Sequence, residues 1–126
     1  MIAGLGMDLI EVERVAARIG KSAGFKELVF SQKEIDYCES KADKYVHYAA
    51  RFAAKEAFFK ALGTGWAEGT AFNEVEMTHD AAGKPGLSLL GRTATSLSDR
   101  GTLNISVSIS HLKNIASAVV IIEIAS

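Results

Sequence analysis

The chain is short of several things, and each shortage excludes something. It has one cysteine, Cys38, so no disulfide can form within it, which suits a reducing compartment. Its only proline, Pro85, falls in the turn-forming stretch DAAGKPG. It lacks an excess of either charge: 14 Lys and Arg stand against 15 Asp and Glu, a net charge of −1. No global basic field draws it to nucleic acid, and no aromatic–basic platform is present for single strands. The apolar run IASAVVII is too short to span a bilayer. Met1 to Ile10 carries no basic residue ahead of its apolar stretch, unlike a secretory leader, so a cytoplasmic protein is expected. There is no G-x-x-x-x-G-K-[ST] loop, no G-x-G-x-x-G and no G-x-S-x-G. His47, His79 and His111 follow no metal-ligand spacing. What remains is 126 residues, 48% hydrophobic and 23% charged, which reads as one soluble domain, 1–126, with a small core.

The order of elements follows from periodicity and punctuation. MIAGLGMDLIEV reads as a strand in which Gly4 and Gly6 permit bends or close approaches. A helix follows from about Val12 to Arg18, with Gly20 as its stop. Ser31 and Glu34 form a capping box that opens a second helix. A long helix runs from about Asp43 to Leu62, and Gly63 and Gly65 end it. FNEVEMT, LSLL and NISVSIS read as strands, while RTATSLSDRG fits a short helix or a loop equally. HLKN is a turn, and ASAVVIIEI is apolar enough for a strand buried on both faces. Strand, helices, then strands make an α+β domain.

Chemistry concentrates in three stretches. RFAAKEAFFKALGTG, residues 51–65, sets Arg51, Lys55, Glu56 and Lys60 among phenylalanines and alanines. At about 100° per residue, Ala53, Ala54, Ala57 and Ala61 gather into a small-residue face. Arg51 and Lys55 fall close together, and Glu56 and Lys60 form a second i,i+4 pair, so the charges interleave with large apolar groups. Alone, this also describes a surface helix with snorkelling lysines. GMDLIEVERV places Asp8 in an apolar strand, where it needs a cation, a donor or an exposed edge. Arg14, Arg18, Lys21 and Lys26 make a local basic stretch, which alone is also an ordinary solvated face. SISHLK puts His111 where a strand gives way to a turn. Ser110 and His111 are not a catalytic dyad, because successive strand side chains point to opposite faces.

Together, GMDLIEVERV, RFAAKEAFFKALGTG, GKP and SVSISH, in this order along essentially the whole chain, resemble the holo-acyl-carrier-protein synthase family of small 4′-phosphopantetheinyl transferases. The resemblance implies an α+β fold with a long helix packed on an antiparallel sheet. It implies transfer of the phosphopantetheine arm of coenzyme A to a serine of an apo acyl carrier protein, releasing adenosine 3′,5′-bisphosphate. Asp8 and Glu56 would hold a magnesium ion, which needs few protein ligands because it keeps waters and takes substrate phosphate. Lys60 would neutralise phosphate charge, completing a catalytic set of Asp8, Glu56 and Lys60. Glu56 or a metal-bound water near Asp8 would accept the serine proton. Arg51 and Lys55 would bind coenzyme A phosphates, with Lys84, Pro85, Gly86, Ser110 and His111 around the adenosine. Arg14, Arg18, Lys21 and Lys26, with Phe25 as an apolar anchor, would dock the acidic carrier. The family is homotrimeric, with sites shared between neighbouring subunits. This sequence departs from some larger relatives at Ile10, where no third acid follows Asp8; Cys38 and Trp66 match nothing in the family pattern. Two other readings compete. A non-catalytic coenzyme A or carrier-protein binding module would not need both Asp8 and Glu56, and a structural oligomer domain would bind no coenzyme A.

Overall fold

The computed structural model describes residues 1–64 and 68–125. Strand β1 (Ile2–Glu11) leads directly into helix α1 (Val12–Lys21), followed by α2 (Phe25–Val29), α3 (Gln32–Glu39) and the long α4 (Lys44–Leu62). Strands β2 (Val75–His79) and β3 (Pro85–Leu89), helix α5 (Gly91–Ser96), and strands β4 (Leu103–His111) and β5 (Ile115–Ile124) complete the order. β1, β5 and β4 form an antiparallel sheet in that order, and β2 and β3 form a separate antiparallel pair. The α+β expectation holds.

Local signals account for most boundaries. The Ser31 amide donates to Glu34 Oε1 at 2.9 Å and the Glu34 amide to Ser31 Oγ at 3.3 Å, a complete capping box on α3. Gly63, at φ 81°, ends α4 in the left-handed conformation that glycine adopts without strain. Gly65 and Trp66 lie outside the described residues. Gly20 does not stop α1, which runs on to Lys21, because Gly20 does not take the left-handed conformation of a glycine cap and Ser22 closes the helix instead. α2 was not foreseen, as five residues are too few to show a helical period. The ambiguous RTATSLSDRG resolves as α5 followed by a 3₁₀ turn at 98–100. Its start is capped from outside: the Glu74 carboxylate accepts the amides of Arg92 (3.2 Å) and Thr93 (3.0 Å). His111 closes β4 instead of standing in the turn.

The packing of α4 on β1 positions the rest. A Cβ at Gly4 would stand 1.8 Å from the Ala61 carbonyl oxygen, and one at Gly6 would stand 2.0 Å from that of Ala57. The glycines of one element and the alanines of the other therefore let two backbones touch. Ala53, Ala57, Phe58, Ala118, Val120 and Ile122 fill the core between α4 and the sheet, and a second core forms around Val15, Phe30, Cys38 and Tyr48. β5 alternates: Ala116, Ala118, Val120 and Ile122 are buried, while Ser117, Val119 and Ile121 are only half-covered. Burial on both faces is therefore corrected to burial on one, because α4 covers a single side of the sheet. The uncovered side also carries Leu5, Met7 and Leu9 of β1, each exposed.

Candidate functional site

Asp8 lies on the same side of β1 as Gly4 and Gly6, since strand residues two apart share a face. That side meets α4, and the close approach bought by the glycines brings Asp8 to the helix. Lys60 Nζ lies 3.0 Å from Asp8 Oδ1 and donates to the Met7 carbonyl at 3.0 Å. Glu56, one turn earlier on α4, lines a cleft of about 250 Å³ with Asp8, Ile10, Arg14, Arg18 and Phe25. Burial raises the Glu56 carboxyl above its ordinary value, and the charge of Asp8 raises it further; Lys60 and Arg18 oppose the shift. Two acids that repel each other in a partly dry cleft form a place for a cation. Among the described residues, no three of His, Cys, Asp and Glu gather as metal ligands. The donor set therefore fits a hard ion that fills its remaining positions with water and phosphate, as magnesium does.

The basic residues of α1 and α2 divide. Arg14 and Arg18 are exposed at this cleft, and the Arg18 guanidinium sits 4.9 Å from the centre of the Phe25 ring. Phe25 in turn leans on Phe52, with ring centres 6.2 Å apart. Lys21 is exposed at the end of α1. Lys26 reaches Glu39 at 3.7 Å, an acid that also meets Lys44 and Tyr48.

Lys55 has another task than the one expected of it. It is wholly buried; its ammonium donates to Glu34 Oε1 at 2.7 Å and to the carbonyls of Phe72 (2.9 Å) and Val75 (2.5 Å). Glu34 Oε2 meanwhile accepts the Met77 amide at 3.1 Å. Burial lowers the Lys55 pKa, and Glu34 opposes that shift. All three ammonium hydrogens are spent on tying α3 and β2 to α4, so none is left for a phosphate. This corrects the coenzyme-binding assignment of Lys55.

Arg51 differs. It is 2% exposed, yet among the described residues no carboxylate pairs with it. Nη1 donates to the His47 carbonyl at 3.4 Å, the guanidinium lies 4.2 Å from the centre of the Tyr37 ring, and Nε has no hydrogen-bond partner among the described residues. A second cleft, lined by Lys33, Tyr37, Arg51, Met77, Thr78 and His79, opens onto it. Pro85 and Gly86 pair across the hairpin with His79 and Thr78, with exposed Lys84 just before them. His111 ends β4 with its ring 6.5 Å from that of His47, and Ser110 precedes it, both exposed. Arg51 and Glu56 are five positions apart, about 140° around the helix. Hence the Asp8–Glu56–Lys60 group and the Arg51 group occupy different sides of one chain. His47, His79 and Tyr37 were missed as members of the second group. The i,i+4 spacing of His47 and Arg51 was the only local sign of it.

A long helix pressed onto an antiparallel sheet, with an acid pair in one cleft and, at another, a buried arginine without an ion-pair partner among the described residues, characterises this α+β protein. The family model of the 4′-phosphopantetheinyl transferase superfamily matches residues 4–119, and the chain belongs to that family. The holo-[acyl-carrier-protein] synthase of Syntrophus aciditrophicus is 42% identical over 124 residues, covering 98% of this chain and 97% of that protein. Among solved structures, the holo-[acyl-carrier-protein] synthase of Neisseria meningitidis superposes with a TM-score of 0.88 at 30% identity, covering 98% of this chain and 99% of that one. The enzyme from Bacillus anthracis, solved in complex with CoA (3′,5′-ADP), gives 0.82 at 32% identity and covers 99% of both chains. The family resemblance and the enzyme class expected from the motifs agree with these findings.

Proposed function

We propose that this chain, read as one transferase domain over 1–126, moves the 4′-phosphopantetheine group from coenzyme A to a serine hydroxyl of an apo acyl carrier protein, with a magnesium ion held by Asp8 and Glu56. The observation that carries the reading is the cleft where these two acids meet Arg14 and Arg18, in a chain of this family. The serine oxygen forms a bond to the phosphorus that carries the pantetheine arm. The bond from that phosphorus to the bridging oxygen breaks, and adenosine 3′,5′-bisphosphate leaves. When bound, the ion supplies charge neutralisation at the pyrophosphate. Glu56, with its raised carboxyl, is suited to take the serine proton. Lys60, already held beside Asp8, neutralises charge on the phosphate. Arg14, Arg18, Lys21 and Phe25 meet the acidic carrier, with Lys26 at the margin because Glu39 engages it.

Arg51 receives a phosphate of coenzyme A: a buried guanidinium with no counter-ion among the described residues is costly until an anion arrives. Lys84, Pro85, Gly86, Ser110 and His111 surround the adenosine. These groups lie apart from Asp8 and Glu56 in one chain, so a whole site takes them from neighbouring copies. The exposed Leu5, Met7 and Leu9 beside half-covered Val119 and Ile121 supply an apolar face for that assembly, a homotrimer. Among the described residues no helix is long and apolar enough to cross a membrane, and we place the enzyme in the cytoplasm.

The test is direct. Apo acyl carrier protein, coenzyme A and magnesium are mixed with the protein, and the carrier is weighed. A gain of one phosphopantetheine group is expected, abolished by a chelator and by Asp8→Ala or Glu56→Ala in folded protein. Coenzyme A binding without any gain would favour the non-catalytic module.

A further inference from the structure

Two histidines from different elements meet at Tyr37, and the third, His111, stands beside one of them. The ring of His79, on β2, stacks on Tyr37 with centres 5.3 Å apart. The ring of His47, on α4, meets the edge of Tyr37 at 5.6 Å, and His111, on β4, stands 6.5 Å from His47. The Arg51 guanidinium and the Lys41 ammonium lie 4.2 Å and 4.9 Å from the centre of the same tyrosine ring. Lys33 lines the cleft. Two acids face this group. Asp43 accepts from or pairs with His47 Nε2 at 3.1 Å. Asp80 lies near His79, but its Oδ1 already accepts the amides of Ala82 and Lys84, each at 2.9 Å. The cleft itself is lined by the basic Lys33, Arg51 and His79, with His47 and Lys41 beside Tyr37 at its edge, and Arg51, its most buried member, has no carboxylate partner among the described residues.

We propose that His47 and His79 are phosphate ligands alongside Arg51, and that they bind in the protonated form, so that coenzyme A enters together with protons. The inference rests on the assignment of a coenzyme A phosphate to Arg51. Its physics is linkage. In the free protein, burial and the nearby Arg51 charge hold both imidazoles below their ordinary value, hence neutral at neutral pH; Asp43 and Asp80 oppose this. A phosphate dianion in the cleft reverses the balance and favours imidazolium. Each fully linked proton makes affinity rise by about tenfold per unit fall in pH. The phosphates of the ligand titrate near pH ~6 and release protons on binding, the opposite sign and at least as many in wild type as in the variants, so this release works against the expected difference.

The experiment is calorimetric titration of the whole protein with adenosine 3′,5′-bisphosphate at neutral pH, in two buffers of different ionisation enthalpy. Wild type should take up on the order of one proton more per ligand than the His47→Gln/His79→Gln double variant, and should bind more tightly as pH falls. His79→Gln alone, at an exposed strand end, carries the test if the double variant does not fold. Equal proton counts in wild type and variants overturn the inference while leaving Arg51 as a phosphate site. Loss of the uptake in His111→Gln alone assigns the proton elsewhere and also overturns it. No binding of the bisphosphate by wild type at any pH overturns both this inference and the Arg51 assignment.

Discussion

Lys55→Met should destabilise the protein severely and leave coenzyme A affinity nearly unchanged. The ammonium is 0% exposed and serves three acceptors: Glu34 and the carbonyls of Phe72 and Val75. Methionine fills a similar volume, so the loss is electrostatic and not a cavity. Breaking one side of a buried pair costs about 3–5 kcal/mol, because the remaining charge is left uncompensated. The two orphaned carbonyls fall within the same penalty. For a chain of this size each kcal/mol lowers the melting temperature by about 3–5 °C, so a fall of roughly 10–20 °C is expected. Glu34→Gln with Lys55→Met removes both charges but keeps an oxygen acceptor for only one of the Ser31 and Met77 amides, and should recover part of the loss. Thermal unfolding by circular dichroism gives the first quantity. A coenzyme A titration well below the variant's melting point gives the second. A normal melting temperature with weakened coenzyme A binding would refute the structural role and restore Lys55 to the ligand site.

Three further outcomes are expected. Gly6→Ala drives a Cβ into the Ala57 carbonyl, 2.0 Å away, and should cost about 1–3 kcal/mol or more while lowering turnover by lifting Glu56 off Asp8; a variant that melts and turns over like wild type would contradict the packing. Because folding raises the Glu56 pKa above 4.5, its ionisation opposes folding as pH rises through the window above that value. Glu56→Gln should therefore be at least as stable as wild type at neutral pH without metal, though inactive, and wild-type magnesium affinity should drop as pH falls into that window; a less stable variant under those conditions would be inconsistent with the shift. Charge reversal at Arg14 and Arg18 together should raise KM for the carrier protein and flatten its dependence on salt, measured by steady-state kinetics across ionic strengths.

Some of this was legible residue by residue. The Ser31–Glu34 box and Gly63 mark helix ends with atoms a few positions apart, and both stand as expected. The alanine face of α4 and the glycines of β1 were readable as a close approach, because small size acts wherever the partner lies. The start of α5 was not readable, since its cap, Glu74, comes from outside the helix. Nor was the fate of Lys55, whose partner Glu34 is 21 residues away. Arg51 and Lys55 have neighbouring places on one helix, yet Lys55 fills its hydrogen bonds while Arg51 Nε has no partner among the described residues.

By itself, then, the sequence determined the chemical kinds present, the family pattern and the elements whose signals are local. Backbone propensity, capping and side-chain size act over a turn or two and need no tertiary partner. Only the tertiary structure decided which charges are spent inside the fold, that Asp8 and Glu56 share a cleft from which Arg51 is excluded, and that His47 and His79, far apart in the chain, meet at Tyr37. Burial and charge depend on what surrounds a group in space, and those surroundings come from elements that periodicity can name but cannot place.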